Sequence, residues 1–142
     1  MAHQINVFAQ NQPGRLERLT EVLRDENINI RAITIAGADD YGVIKLLVDD
    51  PQKAQAALNE EGFSTFMKEV IAVVMDDRPG GLHDICRSLG EKGVNVEDAY
   101  GFVVKDRNTA ILVVEVEKIP EAEGFIHDSG FEIMSDEELY SL

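Results

Sequence analysis

Apolar and polar residues alternate over residues 3–10, with Ile5, Val7 and Ala9 on one face, the period of a half-buried strand. After Pro13-Gly14 the period lengthens. Leu16, Leu19 and Leu23 recur at helical spacing along a segment that ends near Asn27, and Pro is tolerated in a first helical turn. Residues 28–36 and 43–49 read as strands, joined by turn residues at 38–42. Asp50 and Pro51 have the form of an N-cap and first helical position, and Gly62 that of the residue after a helix carrying Ala54, Ala57 and Leu58 inward. Residues 63–67 close the series as a strand, so the order is β-α-β-β-α-β.

The same order follows again. Pro79-Gly80 lies 66 residues after Pro13-Gly14, and at that offset Leu19 meets Ile85, Leu23 meets Leu89, and Ile28-Asn29-Ile30 meets Val94-Asn95-Val96. Gly62-Phe63 meets Gly130-Phe131 at an offset of 68. An ordered series of matches is a duplication. The second copy predicts strand 70–76, helix 79–92, strands 94–104 and 108–116, a helix near 120–128 and strand 131–134. Gly124 inside that last helix costs about 1 kcal/mol relative to Ala. The expected domains are residues 1–68 and 69–142, with no Gly/Ser-rich linker between them. Ser135-Asp136-Glu137-Glu138 has the form of a capping box for a short terminal helix.

The expected fold class is α+β: two tandem ferredoxin-like units, each an antiparallel sheet with its helices on one face. Units of this size bury barely enough surface to be stable alone. Ile111-Leu112-Val113-Val114 is apolar on both strand faces, so its second face needs a cover, either the other unit or another chain. A homodimer is therefore expected.

Composition narrows the function. The chain has 142 residues and a formal charge of −14, the wrong sign for nucleic acid or an anionic membrane surface. No apolar run is long enough to span a bilayer, and the first residues have no basic or apolar leader region, which points to the cytoplasm. One cysteine excludes an intrachain disulfide and a multi-cysteine metal site. Cys86 follows Leu82 by four residues and precedes Leu89 by three, so it is expected buried on the helix's apolar stripe. His3, His83 and His127 lack metal-ligand spacing, with His83 close enough to the second loop to touch a ligand there; the paired aspartates lack calcium-loop spacing. Neither metal nor cofactor is expected.

An RNA-reading sheet needs clustered aromatics and basic charge, neither of which is present. A phosphate-cleaving enzyme needs an arginine cradle, and Asp76 and Asp77 beside Arg78 oppose one. Each copy instead repeats a polar loop ending in Pro-Gly, and an asparagine before its second strand: Asn11 to Gly14 with Asn29, and Asp77, Arg78, Gly80 and Gly81 with Asn95. Helix N-termini suit a carboxylate, glycine permits close approach, and Asn or Asp accepts from an ammonium. Together those receptors describe a free α-amino acid.

At these residues the sequence resembles the ACT domain, the small regulatory module of amino-acid metabolism. The resemblance rests on the Pro-Gly-x-Leu turn at Leu16 and Leu82, the Ile28-Asn29-Ile30 and Val94-Asn95-Val96 helix ends, and the element order, and covers nearly the whole chain as two copies. It implies allosteric ligand sites where such units pair side by side, no catalysis by the module itself, and a regulated metabolic enzyme as partner. In the serine-responsive phosphoglycerate dehydrogenase branch the loop carries a His and an Asn, and the helix-end Asn also contacts ligand. Asn11 and Asn29 match the asparagines while Ala9 stands for the His; in the second copy Asn95 matches, Asp77 stands for the loop Asn and Met75 for the His. The candidate ligand-binding residues are Asn11, Gly14, Arg15, Asn29, Asp77, Arg78, Gly80, Gly81, Leu82 and Asn95, with the second loop expected to bind more tightly through its extra glycine and paired acids. Two other readings stand beside the sensor: a structural dimerisation module with decayed sites, and an enzyme using the same loops.

Overall fold

The computed structural model describes residues 2–105 and 108–142. By contacts the chain divides into two compact units, residues 3–68 and 69–140. The first is built from β1 (Ala2–Gln10), α1 (Arg15–Asp25), β2 (Ile30–Ala38), β3 (Tyr41–Val48), α2 (Pro51–Glu60) and the opening residues of β4 (Ser64–Asp76). Its antiparallel sheet runs β2–β3–β1–β4. The rings of Phe8 on β1 and Phe66 on β4 are 5.4 Å apart. Residues paired across antiparallel strands share a face. Ile5 opposite Leu46 and Val7 opposite Ile44 thus present one apolar surface. Leu19 and Leu23 of α1, Ala54 and Leu58 of α2, and Phe63 bury it.

The second unit takes the remainder of β4, then α3 (Gly81–Glu91), β5 (Asp98–Val104), β6 (Thr109–Glu115), α4 (Ile119–Asp128), β7 (Ile133–Met134) and α5 (Asp136–Tyr140). The sheet order is β5–β6–β4–β7. Its core sets Ile71, Val73, Leu112 and Val114 against Ile85 and Leu89 of α3 and Ala122 and Ile126 of α4. Ile111 and Val113, which point to the other face of β6, are also buried, as their two-sided apolar pattern requires. Each unit is a ferredoxin-like α+β fold with both long helices on one face of its sheet.

Capping follows the expected chemistry in two places. The Asp50 carboxylate accepts from the Lys53 amide at 3.1 Å. The Ser135 amide donates to the Glu138 carboxylate at 2.9 Å while the Ser135 hydroxyl accepts from the Glu138 amide at 3.2 Å, a capping box. Gly62 and Gly130 follow their helices with φ of 88° and 86°.

Three expectations need correction. Pro13 and Pro79 lie before their helices, not in them. The Arg15 amide donates to the Gln12 carbonyl at 3.3 Å and the Gly81 amide to the Arg78 carbonyl at 3.0 Å. With φ of 87° at Gly14 and 90° at Gly80, each Pro-Gly is the centre of a type II turn, and the glycine is the N-cap. Cys86 is exposed, because the buried line along α3 is Gly81, Ile85 and Leu89 and the 82–86 line points outward. Leu16 and Leu82 are exposed for the same reason, at 40% and 49%. Between the first helix and the second strand of each unit the left-handed conformation falls on Asn27 (φ 56°) and Gly93 (φ 71°), two residues before Asn29 and Asn95.

Gly81 carries a further constraint. A methyl group at this position would run into the carbonyl oxygen of Asp76, whereas one at Gly124 meets open space. Gly81→Ala should cost about 1–3 kcal/mol by overpacking against rigid backbone. Gly124→Ala should stabilise the protein by about 1 kcal/mol through helix propensity. Urea unfolding of both variants checks the opposite signs.

Candidate functional site

The two polar loops are built alike. In the first, the Asn11 amide donates to the Asp40 carbonyl at 2.7 Å and the Gln12 amide to the Gln10 carbonyl at 2.9 Å. In the second, the Asp77 amide donates to Asn108 at 3.2 Å and the Arg78 amide to Asp76 at 3.0 Å. Each loop is thereby tied to the hairpin tip that follows the next strand. The Asn11 side-chain amide adds a bond to the Asp39 carbonyl at 3.2 Å, while among the described residues its Oδ1 has no hydrogen-bond partner. Neither Gly14 nor Gly80 can cap with a side chain; the first amide of each helix is taken by its turn carbonyl, and the amides of Leu16 and Glu17 in α1 and of Leu82 and His83 in α3 have no side-chain cap.

The loops differ in charge. Arg78 is engaged: it donates to Asp84 at 2.8 Å and to the Pro79 carbonyl at 3.1 Å, and lies 3.4 Å from Asp76. Its hydrogen bond to Asp84, with that carboxylate's charge, raises its pKa above the usual arginine value. Gly81 is buried against Asp76 rather than open to a ligand, so the extra glycine of the second loop serves packing. In the first unit the corresponding Arg15 lays its guanidinium 4.7 Å over the Phe63 ring, with Nε buried and unpaired. Leu82 and His83 stand exposed on the first turn of α3.

The asparagines before the second strands lie elsewhere. The Asn29 amide donates to the Asp49 carboxylate at 3.0 Å and its carbonyl accepts from the Asp49 amide at 3.1 Å, at the end of β3. Asn11 is held at the opposite end, by the 39–40 hairpin. Nine residues of β2 separate the two ends, about 30 Å at the rise of an extended strand. The second unit repeats this: Asp76 pairs with Thr109 while Glu97 bonds to Glu115 at the far end, beside Asn95. The structure therefore brings Asn11, Gly14 and Arg15 together, and Asp77, Arg78, Gly80, Gly81 and Leu82 together, but leaves Asn29 and Asn95 at the other pole of their units. Residue spacing carried no sign of this separation. The role of Asp39 and Asp40 in holding Asn11 was legible only as a turn.

Among the described residues no group of three or more His, Cys, Asp or Glu side chains is placed to hold a metal ion. Among the described residues no helix is long and apolar enough to cross a membrane.

The ACT domain pair family matches residues 1–142. The chain belongs to that family. A crystallised protein from Bacteroides thetaiotaomicron is 31% identical, with a TM-score of 0.93 over 99% of this chain and 96% of that one. The ligand-free regulatory subunit of aspartate kinase from Thermus thermophilus shares the fold at 17% identity and a TM-score of 0.64, over 91% of this chain and 93% of that one. The corresponding subunit from Thermus flavus does so at 18% and 0.63, over the same shares. A comparison with curated proteins gives no match. The ferredoxin-like units are thus two ACT units, and the Pro-Gly turns are their shared loop.

Outside the loops, Tyr100 of the second ACT unit is strongly perturbed. Burial, then the charges of Glu115 and Asp98 and the neighbouring Tyr140, raise its pKa well above the usual 10.0. The folded state then holds a proton that the unfolded chain releases, so stability is intact below pH 10 and falls as pH rises through the gap. Tyr100→Phe should flatten that alkaline loss. Denaturant midpoints between pH 9 and 12, about the range of tyrosine ionisation, should fall in parallel for the two proteins if Tyr100 is not responsible.

Proposed function

We propose that the protein is a non-catalytic regulatory sensor of a free amino acid, and that its first loop site is completed by a second copy of the chain. Membership of the ACT domain pair family supports the regulatory part. The observation that carries the second part is the free edge of the first sheet. Among the described residues β2 pairs with β3 on one side and with no strand on the other. Ile33 and Ile35, both on the helix-side face, are 42% and 51% exposed and flank Thr34, the midpoint of β2. Exposed edge strands are templates for pairing. A twofold axis at Thr34 sets Ile33 of one copy against the partner subunit's Ile35, covering both. The same axis reverses the strand, so Asn29 of one copy meets the hairpin-and-loop end of the other, where Asn11 and Asp39 lie.

In that arrangement the open amides of α1 receive the ligand carboxylate, and the carbonyl oxygens of Asn11 and the partner subunit's Asn29 receive the ammonium. The second loop is the poorer receptor, since Asp76 and Asp84 engage its one arginine and Asp77 adds a further negative charge to the loop. This reverses the order of affinity expected from sequence, because Gly81 is filled from behind. The reading places the protein in the cytoplasm, with a separate metabolic enzyme as the target of its signal.

Thermal shift against the twenty amino acids is the first test: a ligand at 100 times its Kd stabilises by about 2.7 kcal/mol. No stabilisation by any of them sinks the sensor reading. In calorimetry, Asn11→Ala should weaken binding about 5- to 150-fold, the range of a lost buried contact of about 1–3 kcal/mol. Asn11→Asp, which keeps the acceptor, and Asp77→Ala should bind nearly as the wild type. Sedimentation equilibrium should give a dimer for the wild type and the 15.7 kDa monomer for Ile35→Glu. A monomeric wild type at micromolar concentration contradicts the pairing.

A further inference from the structure

The second unit holds a separate cleft that the loops do not touch. The turn after α3, the 94–97 segment, the loop at 117–118 and the start of α4 enclose about 320 Å³. That is the lower end of the size range of small-molecule sites. The ring of Phe125 forms one apolar wall, with the Lys92 ammonium 5.8 Å from its centroid. Asn95, Glu117, Lys118 and Glu121 border the same space. Glu97 lines the cleft as well and is engaged, whereas among the described residues no hydrogen bond or ion pair engages the side chains of Asn95, Glu117, Lys118 and Glu121, in contrast to Arg78 in the second loop.

The duplicated halves diverge at this spot. At the offsets of the repeat, Lys92 stands for Glu26, Lys118 for Asp50 and Phe125 for Ala57. In the first unit Asp50 is engaged with the Lys53 amide and Asp49 with the Asn29 amide. At the same offsets Glu97 stands for Arg31 and Glu121 for Lys53, so the second unit exchanges charge at four positions and gains an aromatic ring, around a cleft where the Asn95, Glu117, Lys118 and Glu121 side chains make no hydrogen bond or ion pair among the described residues.

We propose that this cleft binds an α-amino acid with an apolar side chain. Lys92 and Lys118 receive the carboxylate, Glu117 and Glu121 the ammonium, and the side chain lies on Phe125, with Asn95 bonding either polar end. All these groups belong to one unit, so the site needs no second copy and stands independently of the loop site.

Titration of the isotope-labelled full chain with leucine, isoleucine, valine, methionine and phenylalanine, each followed by amide chemical shifts, tests it. At least one should give saturable shifts at residues 93–97 and 118–122. Lys118→Glu, a surface change, should weaken that binding by about tenfold or more, the factor that about 1.4 kcal/mol represents. Phe125→Leu should weaken it while keeping an apolar wall, and Asn11→Ala should leave it unchanged. The proposal falls if none of the five ligands shifts these amides saturably, or if Lys118→Glu binds as the wild type. Shifts confined to residues 11–14, 29 and 39 would overturn the cleft while supporting the loop site.

Discussion

A β-strand fixes both the direction of its side chains and the distance between its ends. In each ACT unit that constraint decides what can meet. The strands that carry the core are seven to thirteen residues long apart from β7, and the helices return along them on one face. The Pro-Gly turn therefore sits at one pole of the sheet and the helix-end asparagine at the other, about 30 Å away. Neither side-chain rotation nor loop adjustment spans that distance. A binding site that uses both features must borrow one of them from a neighbour, and the exposed isoleucines at the centre of β2 lie where a twofold neighbour would seat.

The duplication separates what the backbone requires from what the side chains are free to do. Gly14 and Gly80, Asn27 and Gly93, and Gly62 and Gly130 occupy matching positions with positive φ. These positions hold the turns that start and end the helices, and only residues tolerant of left-handed geometry serve there. Around that common frame the chemistry has diverged. Arg15 stacks on Phe63 where Gly81 packs on Asp76, and Asp50 caps its helix where Lys118 leaves the helix start uncapped. The two units thus present different surfaces from the same fold.

Much of the fold was legible in the sequence because it follows from local rules. The repeated Pro-Gly turns, the leucine spacing of α1 and the alternation of β1 specify element order directly, and the Asp50 cap and Ser135 capping box are local hydrogen-bond chemistry. What was not legible depends on three-dimensional neighbours. Leu16, Leu82 and Cys86 share the helical spacing of core residues, yet face outward, because the packing of each helix on its sheet sets which line is buried. Gly81 reads as an opening for a ligand and is in fact filled by the Asp76 carbonyl. The candidate site was legible as two sets of residues but not as two places, since sequence spacing does not report which end of a strand a loop occupies.

The claim that two copies share the loop site is tested most directly by complementation. Chains carrying Asn11→Ala and chains carrying Asn29→Ala are prepared separately, shown to bind the amino acid weakly, then mixed in equal amounts, allowed to exchange and titrated by calorimetry. A twofold dimer with composite sites predicts that mixed dimers regain one intact site each, so tight binding returns to about a quarter of the wild-type sites. If mixing restores no tight binding, or if Asn29→Ala alone binds as tightly as the wild type, the second copy does not complete the site.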